Sequence, residues 1–326
     1  GTAMKNFLLV LLTIQSLFLY SQQHIKLASD IYPPFTDVDS EKGFALELAK
    51  EALKRGGIQI DQTITGFSEV LDGINAGIYD GSASLWKTED REKYLLYSEP
   101  YLENRLILLG RKGSDVSAKT LSELKDKRIA IISGYAYGTS VYTSVDIVLI
   151  PGKSHQENLE KLLTFKTDYM LVDELLISYL LNYQLNDISR FLEIGEEAFM
   201  VQPLHLAILK EIPDAQKIIE DFNSNIKKMM SDGTYNRILE LNWIQSDVDG
   251  DGVHELVLLG DKAGTEAPDK YYRLMTKTAM TENSERYYIN GQVYDGWQVV
   301  PAKYKTDIIK AANMNTTSSS GLKLKF

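Results

Sequence analysis

The chain has 326 residues, of which 25% are charged and 44% hydrophobic, enough for a substantial core and about two domains. Its formal net charge is −10, and no cluster of lysine and arginine offsets it, so we expect no nucleic-acid partner. Cysteine is absent, which excludes disulfides, thiol catalysis and cysteine-ligated metal sites.

The N-terminus predicts export. Three residues that look like a cloning remnant precede Met4 and Lys5, and the apolar run FLLVLLTIQSLFLY then ends at a polar Ser-Gln-Gln. A positive start, a short apolar stretch and a polar exit are typical of a secretory signal peptide. A membrane anchor, the alternative, needs ~20 apolar residues, more than this interrupted run offers. We assign residues 1–23 to the remnant and a signal peptide, and expect a periplasmic protein.

From His24 onward, strand-like and helix-like segments alternate, which is typical of α/β layers around a mainly parallel sheet. The stretch GFALELAKEALKR has apolar residues at helical spacing and stops at a Gly-Gly pair. Two extended segments, ENRLILLGRKG and HLAILK, read as connectors between two α/β units. Further helices are predicted over Pro213–Met230 and Gly233–Trp243.

The stretch WKTEDREKYLLYSEPY places Arg91 among the acidic residues Glu89, Asp90 and Glu92. Taken alone, such a charged run is typical of a solvated surface. The alternative is that Arg91 is an anchor for an anion, because a guanidinium holds a carboxylate through two parallel hydrogen bonds.

The chain resembles bacterial periplasmic solute-binding proteins of the polar amino-acid type. Six stretches carry this resemblance in the family's order over roughly residues 24–244: ASDIYPPF with GFALELAKEAL, DGSASLWKTEDREKYLLYSEPYL, IAIISGYAYG, TDYMLVDELL and MMSDGTYNRILELNW. The resemblance implies an α/β, two-lobed periplasmic-binding-protein (Venus-flytrap) fold with two crossover hinge strands. Lobe 1 is then expected at 24–108 and 201–244, lobe 2 at 109–200, and a small β-rich C-terminal appendage at 245–326.

The resemblance also implies site residues. Arg91, in a Thr-x-x-Arg pattern after Thr88, matches the family's carboxylate-binding arginine, and Asp173 matches its ammonium-binding aspartate. An N-cap for the following helix is the alternative role of Asp173. Gly134 and Tyr135 match a turn whose backbone N–H groups help hold the carboxylate.

The remaining expected ligand contacts are Asp30, Tyr32, Ser84 and Trp86. Tyr32 is expected as a wall of the site, whereas Asp30 is either a ligand contact or a brace of its loop. Trp86 departs from the family, in which a small hydroxyl residue is common five positions before the arginine. Its indole removes one donor and can stack on a ligand side chain or a cation.

The appendage begins with DVDGDGVHELVLLG, which resembles the Asp-x-Asp-x-Asp-Gly calcium loops of β-propeller-type repeats. Alternating oxygen ligands facing one centre suit Ca²⁺. An acidic, glycine-rich turn without metal is the alternative. The expected ligand positions are Asp247, Asp249, Asp251, Val253 and Glu255. Further on, Asn290-Gly291 between β-rich flanks predicts a hairpin.

The resulting hypothesis is a non-catalytic, monomeric receptor for a small amino-acid-like solute, delivering it to an inner-membrane ABC permease. Two alternatives stay open. One is a dehydratase-type enzyme on the same fold, with Asp173 or Glu174 as the acid. The other is a sensory or partner-docking module that uses the appendage as its contact surface.

Overall fold

The first lobe is built from the two ends of the region that precedes the appendage. In this computed structural model the described chain comprises residues 23–38, 42–183, 188–239, 243–246, 251, 253, 255–258, 272–273, 286–289 and 291–304. The elements of lobe 1 are β1 (His24–Ser29), α1 (Phe44–Arg55), β2 (Gln59–Ile64), α2 (Phe67–Asn75), β3 (Gly81–Leu85), α3 (Glu89–Glu92), β4 (Leu95–Tyr97), α7 (Ala215–Ser231) and α8 (Thr234–Ile238).

The second lobe repeats the strand–helix alternation, and a short 3₁₀ turn at Leu121–Leu124 leads into it. Its elements are β6 (Arg128–Ile132), α4 (Thr139–Tyr142), β7 (Val148–Gly152), α5 (His155–Leu163), β8 (Tyr169–Asp173), α6 (Glu174–Tyr183) and β9 (Leu192–Ile194). Helix α5 begins where the sequence provides an N-cap: the Ser154 hydroxyl accepts from the Glu157 N–H at 3.1 Å.

Two long strands, β5 (Leu102–Arg111) and β10 (Met200–Leu209), connect the lobes. They pair antiparallel with each other, from Met200–Leu106 to Leu204–Leu102. Beyond this pairing β10 continues into lobe 1 beside β3 and β4, and β5 continues into lobe 2 beside β8 and β9. The described strands therefore form one path, β2-β1-β3-β10-β5-β8-β6-β7. The predicted two-lobed α/β fold with two crossover strands is confirmed.

Parallel pairing within each lobe aligns the ends of the strands at the cleft. Strand β1 lies between β2 and β3, and β6 lies between β7 and β8, all in parallel register. In open parallel sheets, ligand-binding loops lie beyond the carboxyl ends of the strands. The loops that follow β1, β3 and β6 are thus the ones that line the cleft.

The core is apolar and spans both lobes through the crossover strands. Helix α1 buries one face, from Phe44 to Leu53, as its spacing predicts, and its last turn is closed by the Gly56 N–H. Strands β5 and β8 are buried almost along their whole length. None of the described helices is long and apolar enough to cross a membrane.

The appendage contributes a second sheet, in the order β13-β11-β12-β14-β15. Its strands are β11 (Trp243–Ser246), β12 (Glu255–Leu258), β13 (Tyr272–Arg273), β14 (Arg286–Ile289) and β15 (Gln292–Asp295), followed by 3₁₀ turns at Trp297–Val299 and Ala302–Tyr304. The hairpin prediction is confirmed, because β14 and β15 pair antiparallel with Ile289 opposite Gln292.

One predicted helix is shorter than expected. The sequence predicted a helix over Gly233–Trp243, but α8 ends at Ile238 and Trp243 begins β11. The helical spacing of apolar residues continues past Leu239, but Trp243 and the residues after it pair with β12. Long-range strand pairing therefore overrides the local helical pattern there. This second sheet packs on lobe 1: the Asn236 amide donates to the Val257 carbonyl at 3.1 Å, and Val257 belongs to the main core.

Candidate functional site

Arg91 points into the protein while its acidic neighbours point out. Thr88 caps the short helix α3 by accepting from the Arg91 N–H at 3.2 Å, which fixes the backbone that carries the guanidinium. Arg91 is only 8% exposed, whereas the Asp90 side chain is 89% exposed and pairs with Lys93. The structure therefore places Arg91 inside the cleft and not on the solvated surface that a charged run suggests.

Both terminal nitrogens of Arg91 donate to neutral carbonyl groups. Nη1 donates to the Trp86 oxygen in lobe 1 at 3.0 Å, and Nη2 donates to the Gly134 oxygen in lobe 2 at 2.9 Å. The guanidinium also lies over the Phe67 ring, 5.5 Å from its centroid. None of the carboxylates in the described part of the chain forms an ion pair with Arg91. Within the described residues, the Arg91 guanidinium is thus a buried cation without an ion-pair partner.

Asp30 supplies the opposite charge, in the loop after β1. Its Oδ2 accepts from the Tyr135 hydroxyl at 2.5 Å, and its backbone oxygen accepts from Thr36. Burial raises the pKa of Asp30 above its usual value, and the Tyr135 hydrogen bond lowers it in part. The backbone of Asp30 thus braces its loop and the residue lines the cavity, while its role as a ligand contact stays a prediction.

The residues predicted from the loops after β1, β3 and β6 converge on one cavity of about 30 Å³, which is room for roughly one or two waters. Its lining residues are Asp30, Tyr32, Phe67, Ser84, Leu85, Trp86, Arg91, Asn104, Tyr135, Ala136 and Leu204. Three residues predicted for the site are not among its lining residues: Thr88, Gly134 and Asp173. Phe67 and Asn104 were missed by the sequence analysis.

Aromatic rings form most of the cavity wall. The Tyr135 ring lies 5.1 Å from Trp86, 4.7 Å from Phe67 and 6.1 Å from Tyr32, centroid to centroid. His155 packs on the Tyr32 ring at 5.1 Å. Burial lowers the pKa of His155 to about 4, so its imidazole is neutral at physiological pH.

Trp86 is held in place by Asn104, a fully buried residue of the crossover strand β5. The indole Nε1 donates to the Asn104 Oδ1 at 2.7 Å, and the Asn104 amide in turn donates to the Asp173 Oδ2 at 3.3 Å. This chain of contacts runs from lobe 1 through a hinge strand to lobe 2. The indole N–H is therefore already used, and the ring presents its apolar surface to the cavity.

Asp173 caps helix α6, the alternative that the sequence left open. Its Oδ1 accepts from the N–H groups of Leu175 at 2.8 Å and Leu176 at 3.2 Å, and its Oδ2 accepts from the Arg105 N–H at 3.0 Å. Asp173 is 1% exposed. Burial raises the pKa of this carboxyl group, and the N–H donors oppose that effect. Its ammonium-binding role stays a prediction.

The turn after β6 differs from expectation in one respect. Its backbone N–H groups were expected to face a carboxylate, yet the Tyr135 N–H donates to the Ile132 oxygen within the turn, and Gly134 presents its carbonyl to Arg91. Gly134 has φ +80°, and a Cβ there would lie 3.6 Å from the Phe67 ring. This left-handed conformation directs the carbonyl across the cleft, which a sequence pattern does not reveal.

The predicted calcium ligands Asp247 and Asp249 lie outside the described residues. Asp251 accepts from the Val253 N–H at 2.8 Å. Asp251 and the buried Glu255 both pair with Arg286, at 2.7 and 3.1 Å. Within the described ranges no three acidic, histidine or cysteine side chains are grouped to hold a metal. Arg286 supplies positive charge to two of the five predicted positions.

Comparisons with known proteins agree with this fold. The chain is 24% identical to ABC transporter arginine-binding protein 1 of Escherichia coli (strain K12) over 217 residues, covering 64% of this chain and 86% of that protein. An ancestral arginine-binding protein bound to arginine superposes with a TM-score of 0.57 at 23% identity, covering 68% of this chain and 98% of the other.

A third protein of known structure shares the fold. The ancestral amino acid-binding protein AncCDT-1, a precursor of cyclohexadienyl dehydratase, superposes with a TM-score of 0.54 at 21% identity, over 67% of this chain and 94% of the other. The model of bacterial extracellular solute-binding proteins, family 3, matches residues 25–245. The chain belongs to this family, and its two lobes form a solute-binding receptor.

Proposed function

We propose that the cleft binds a free α-amino acid and that Arg91 receives its carboxylate. The observation that carries this proposal is the burial of Arg91 with hydrogen bonds to carbonyl groups alone. A buried charge without a counter-charge is costly, and a ligand carboxylate would offset that cost with two parallel hydrogen bonds. A loss of binding in Arg91→Ala tests the proposal.

Asp30 is the group we propose for the ammonium. It is the one carboxyl group that lines the described cavity, and a cation beside it would replace the Tyr135 hydroxyl as its donor. Both charges of a zwitterion lose water when the cleft closes, so both need a partner. Arg91 and Asp30 provide one partner of each sign.

The aromatic walls favour a ligand with a cationic or flat side chain. Tyr32, Phe67 and Trp86 line the cavity, and a guanidinium or ammonium is attracted to such ring faces. The arginine-binding protein of E. coli makes L-arginine the first compound to test. A thermal-shift screen of all standard amino acids, followed by calorimetry on the hits, identifies the ligand directly.

We further propose that residues 1–23 direct export and are then cleaved off. The monomeric periplasmic protein then delivers its ligand to an ABC permease. The names of relatives support transport. The sensory alternative uses the C-terminal sheet as a docking surface. The described part of that sheet packs on lobe 1 through Asn236 and Val257, so it is attached to one of the two lobes.

We propose no catalytic role for the cleft. A dehydratase needs a general acid placed beside its substrate. The candidate Asp173 is engaged as a helix cap, and Glu174 accepts from the Arg105 Nε at 3.0 Å. Asp30 has a raised pKa and lines the cavity, which makes it the residue to test. Release of product from a cyclohexadienyl acid by wild type, and not by Asp30→Asn, would support the enzyme instead.

A further inference from the structure

Tyr135 joins the two lobes at the centre of the cleft. It belongs to lobe 2, yet its hydroxyl donates to Asp30 of lobe 1 at 2.5 Å. Its ring contacts Tyr32, Phe67 and Trp86 of lobe 1, and also Tyr137 and His155 of its own lobe. The residue is 8% exposed, so the phenol fills space between the lobes rather than covering the entrance.

The adjacent residue completes a pair of contacts with opposite polarity. Gly134 offers its carbonyl as an acceptor to Arg91, while Tyr135 offers its hydroxyl as a donor to Asp30. An amino acid would offer the same two groups in charged form: a carboxylate acceptor for Arg91 and an ammonium donor for Asp30. The turn therefore satisfies both charged groups of lobe 1 with neutral groups of lobe 2.

We propose that the Gly134–Tyr135 turn is an internal competitor of the ligand, which closes the cleft in the ligand's place until a zwitterion displaces it. This inference rests on the proposed function only for the identity of the displacing ligand. The cavity of about 30 Å³ supports the competition, because an amino acid does not fit beside the phenol.

Competition of this kind acts as a selectivity device. The bonds of the turn join a charged side chain to a neutral group, whereas a zwitterion would place an opposite charge at each position. The added attraction between opposite charges favours the zwitterion at both positions when it replaces the turn. A ligand with only one charge gains at one position and leaves the other residue of lobe 1 without its partner. The form in which the turn occupies both positions does not bind ligand. It therefore lowers the apparent affinity for the ligand as its population rises.

The first experiment measures closure without any added ligand. Because the chain lacks cysteine, Asn75→Cys in α2 and Gln156→Cys in α5, both exposed, allow specific spin labelling of the two lobes. Pulsed electron–electron double resonance then measures the distance between the two labels in wild type, Tyr135→Phe and Asp30→Ala. Each protein is first refolded from denaturant to remove carried-over solute. Tyr169→Phe is the matched control, since its hydroxyl bonds Asp115 within lobe 2.

We expect a short interlobe distance in wild type and Tyr169→Phe, and a shift toward longer distances in Tyr135→Phe and Asp30→Ala. Unchanged distances in both cleft variants would overturn the proposal. This outcome does not depend on which solute the protein binds, so it is separable from a failure of the proposed function.

The second experiment titrates L-arginine into wild type and Tyr135→Phe by calorimetry. Removing the competitor should tighten binding about tenfold, because the hydrogen bond to Asp30 no longer has to be broken. Weaker binding by Tyr135→Phe would show instead that the hydroxyl contacts the ligand and would overturn the competitor role. If L-arginine does not bind wild type, the distance measurement decides alone.

Discussion

Arg91 donates from Nη2 to the Gly134 carbonyl across the cleft at 2.9 Å, so a cation of lobe 1 is bonded to the backbone of lobe 2. This contact makes Arg91, the proposed carboxylate anchor, a link between the two lobes as well. The guanidinium bridges the lobes only when they approach each other. Replacing the carbonyl with a carboxylate would strengthen that bridge, because the hydrogen bonds then join opposite charges.

Asp173→Asn should lower the stability of the protein. The carboxylate accepts N–H groups from Leu175, Leu176 and Arg105, and an amide NH₂ group cannot accept where an oxygen did. We expect a loss of about 1–3 kcal/mol in the free energy of unfolding, measured by urea denaturation. Wild-type stability in this variant would contradict the cap role.

The same variant tests the ammonium role that the family resemblance implies for Asp173. Affinities are compared for an amino acid and its analogue without the ammonium, in Asp173→Asn and in Asp30→Asn. We expect Asp30→Asn to weaken binding of the amino acid but not of the analogue, because Asp30 balances the charge of the ammonium. A selective loss in Asp173→Asn alone would assign the ammonium to Asp173 instead.

His155→Phe should make the protein more resistant to acid. Burial lowers the pKa of His155 from 6.5 to about 4, so the unfolded chain binds more protons between these values. The stability contributed by keeping His155 neutral is therefore complete above pH 6.5 and is lost as the pH falls toward 4. The loss is at most about 3 kcal/mol.

Phenylalanine keeps the ring contact with Tyr32 but carries no titratable group. Urea unfolding at pH 7.5 and pH 4.5 gives the difference for each protein, with His24→Gln, on the exposed side of β1, as the matched control. Equal acid sensitivity in wild type and His155→Phe would contradict the prediction.

Calcium should stabilise the C-terminal sheet by mass action if the predicted loop binds it. Arg286 pairs with Asp251 and Glu255, so it competes with the metal for two of the predicted positions. We expect millimolar Ca²⁺ to raise the unfolding temperature of metal-stripped protein, and to raise it further in Arg286→Gln.

Asp249→Ala should abolish the calcium effect while leaving solute affinity unchanged, because the lobes that form the cleft precede this loop. No shift in wild type or Arg286→Gln would identify the loop as an acidic turn. Loss of solute binding on chelation would show that the sheet and the cleft are coupled.

Much of the site could be predicted because its residues follow strands whose order the family shares. Asp30 lies in the loop after β1 and Arg91 in the short helix α3 after β3, and parallel strands bring such segments together. Asn104 could not be found this way. It reads as one polar residue in an extended connector, and its link to Trp86 depends on the long-range pairing of β10 with both β3 and β5.

The orientation of the Gly134 carbonyl was also beyond the sequence. The stretch SGYAYG predicts a turn, but which backbone group faces the cleft depends on the φ angle of Gly134. The prediction of a helix as far as Trp243 was wrong for a related reason. The pairing of β11 with β12 outweighs local helical spacing there, and that pairing joins residues on either side of the predicted calcium loop.

The central claim is that Arg91 binds the carboxylate of an amino acid. Its most direct test is calorimetry of wild type and Arg91→Ala with the best amino acid from the screen and with the corresponding amine, which lacks only the carboxylate. Arg128→Ala, which removes a partly buried pair with Asp168 in lobe 2, is the control. We predict that Arg91→Ala weakens the amino acid by about 3–5 kcal/mol, the range for breaking a buried pair, and leaves the weak binding of the amine nearly unchanged. Near wild-type affinity for the amino acid in a folded Arg91→Ala protein would contradict the claim.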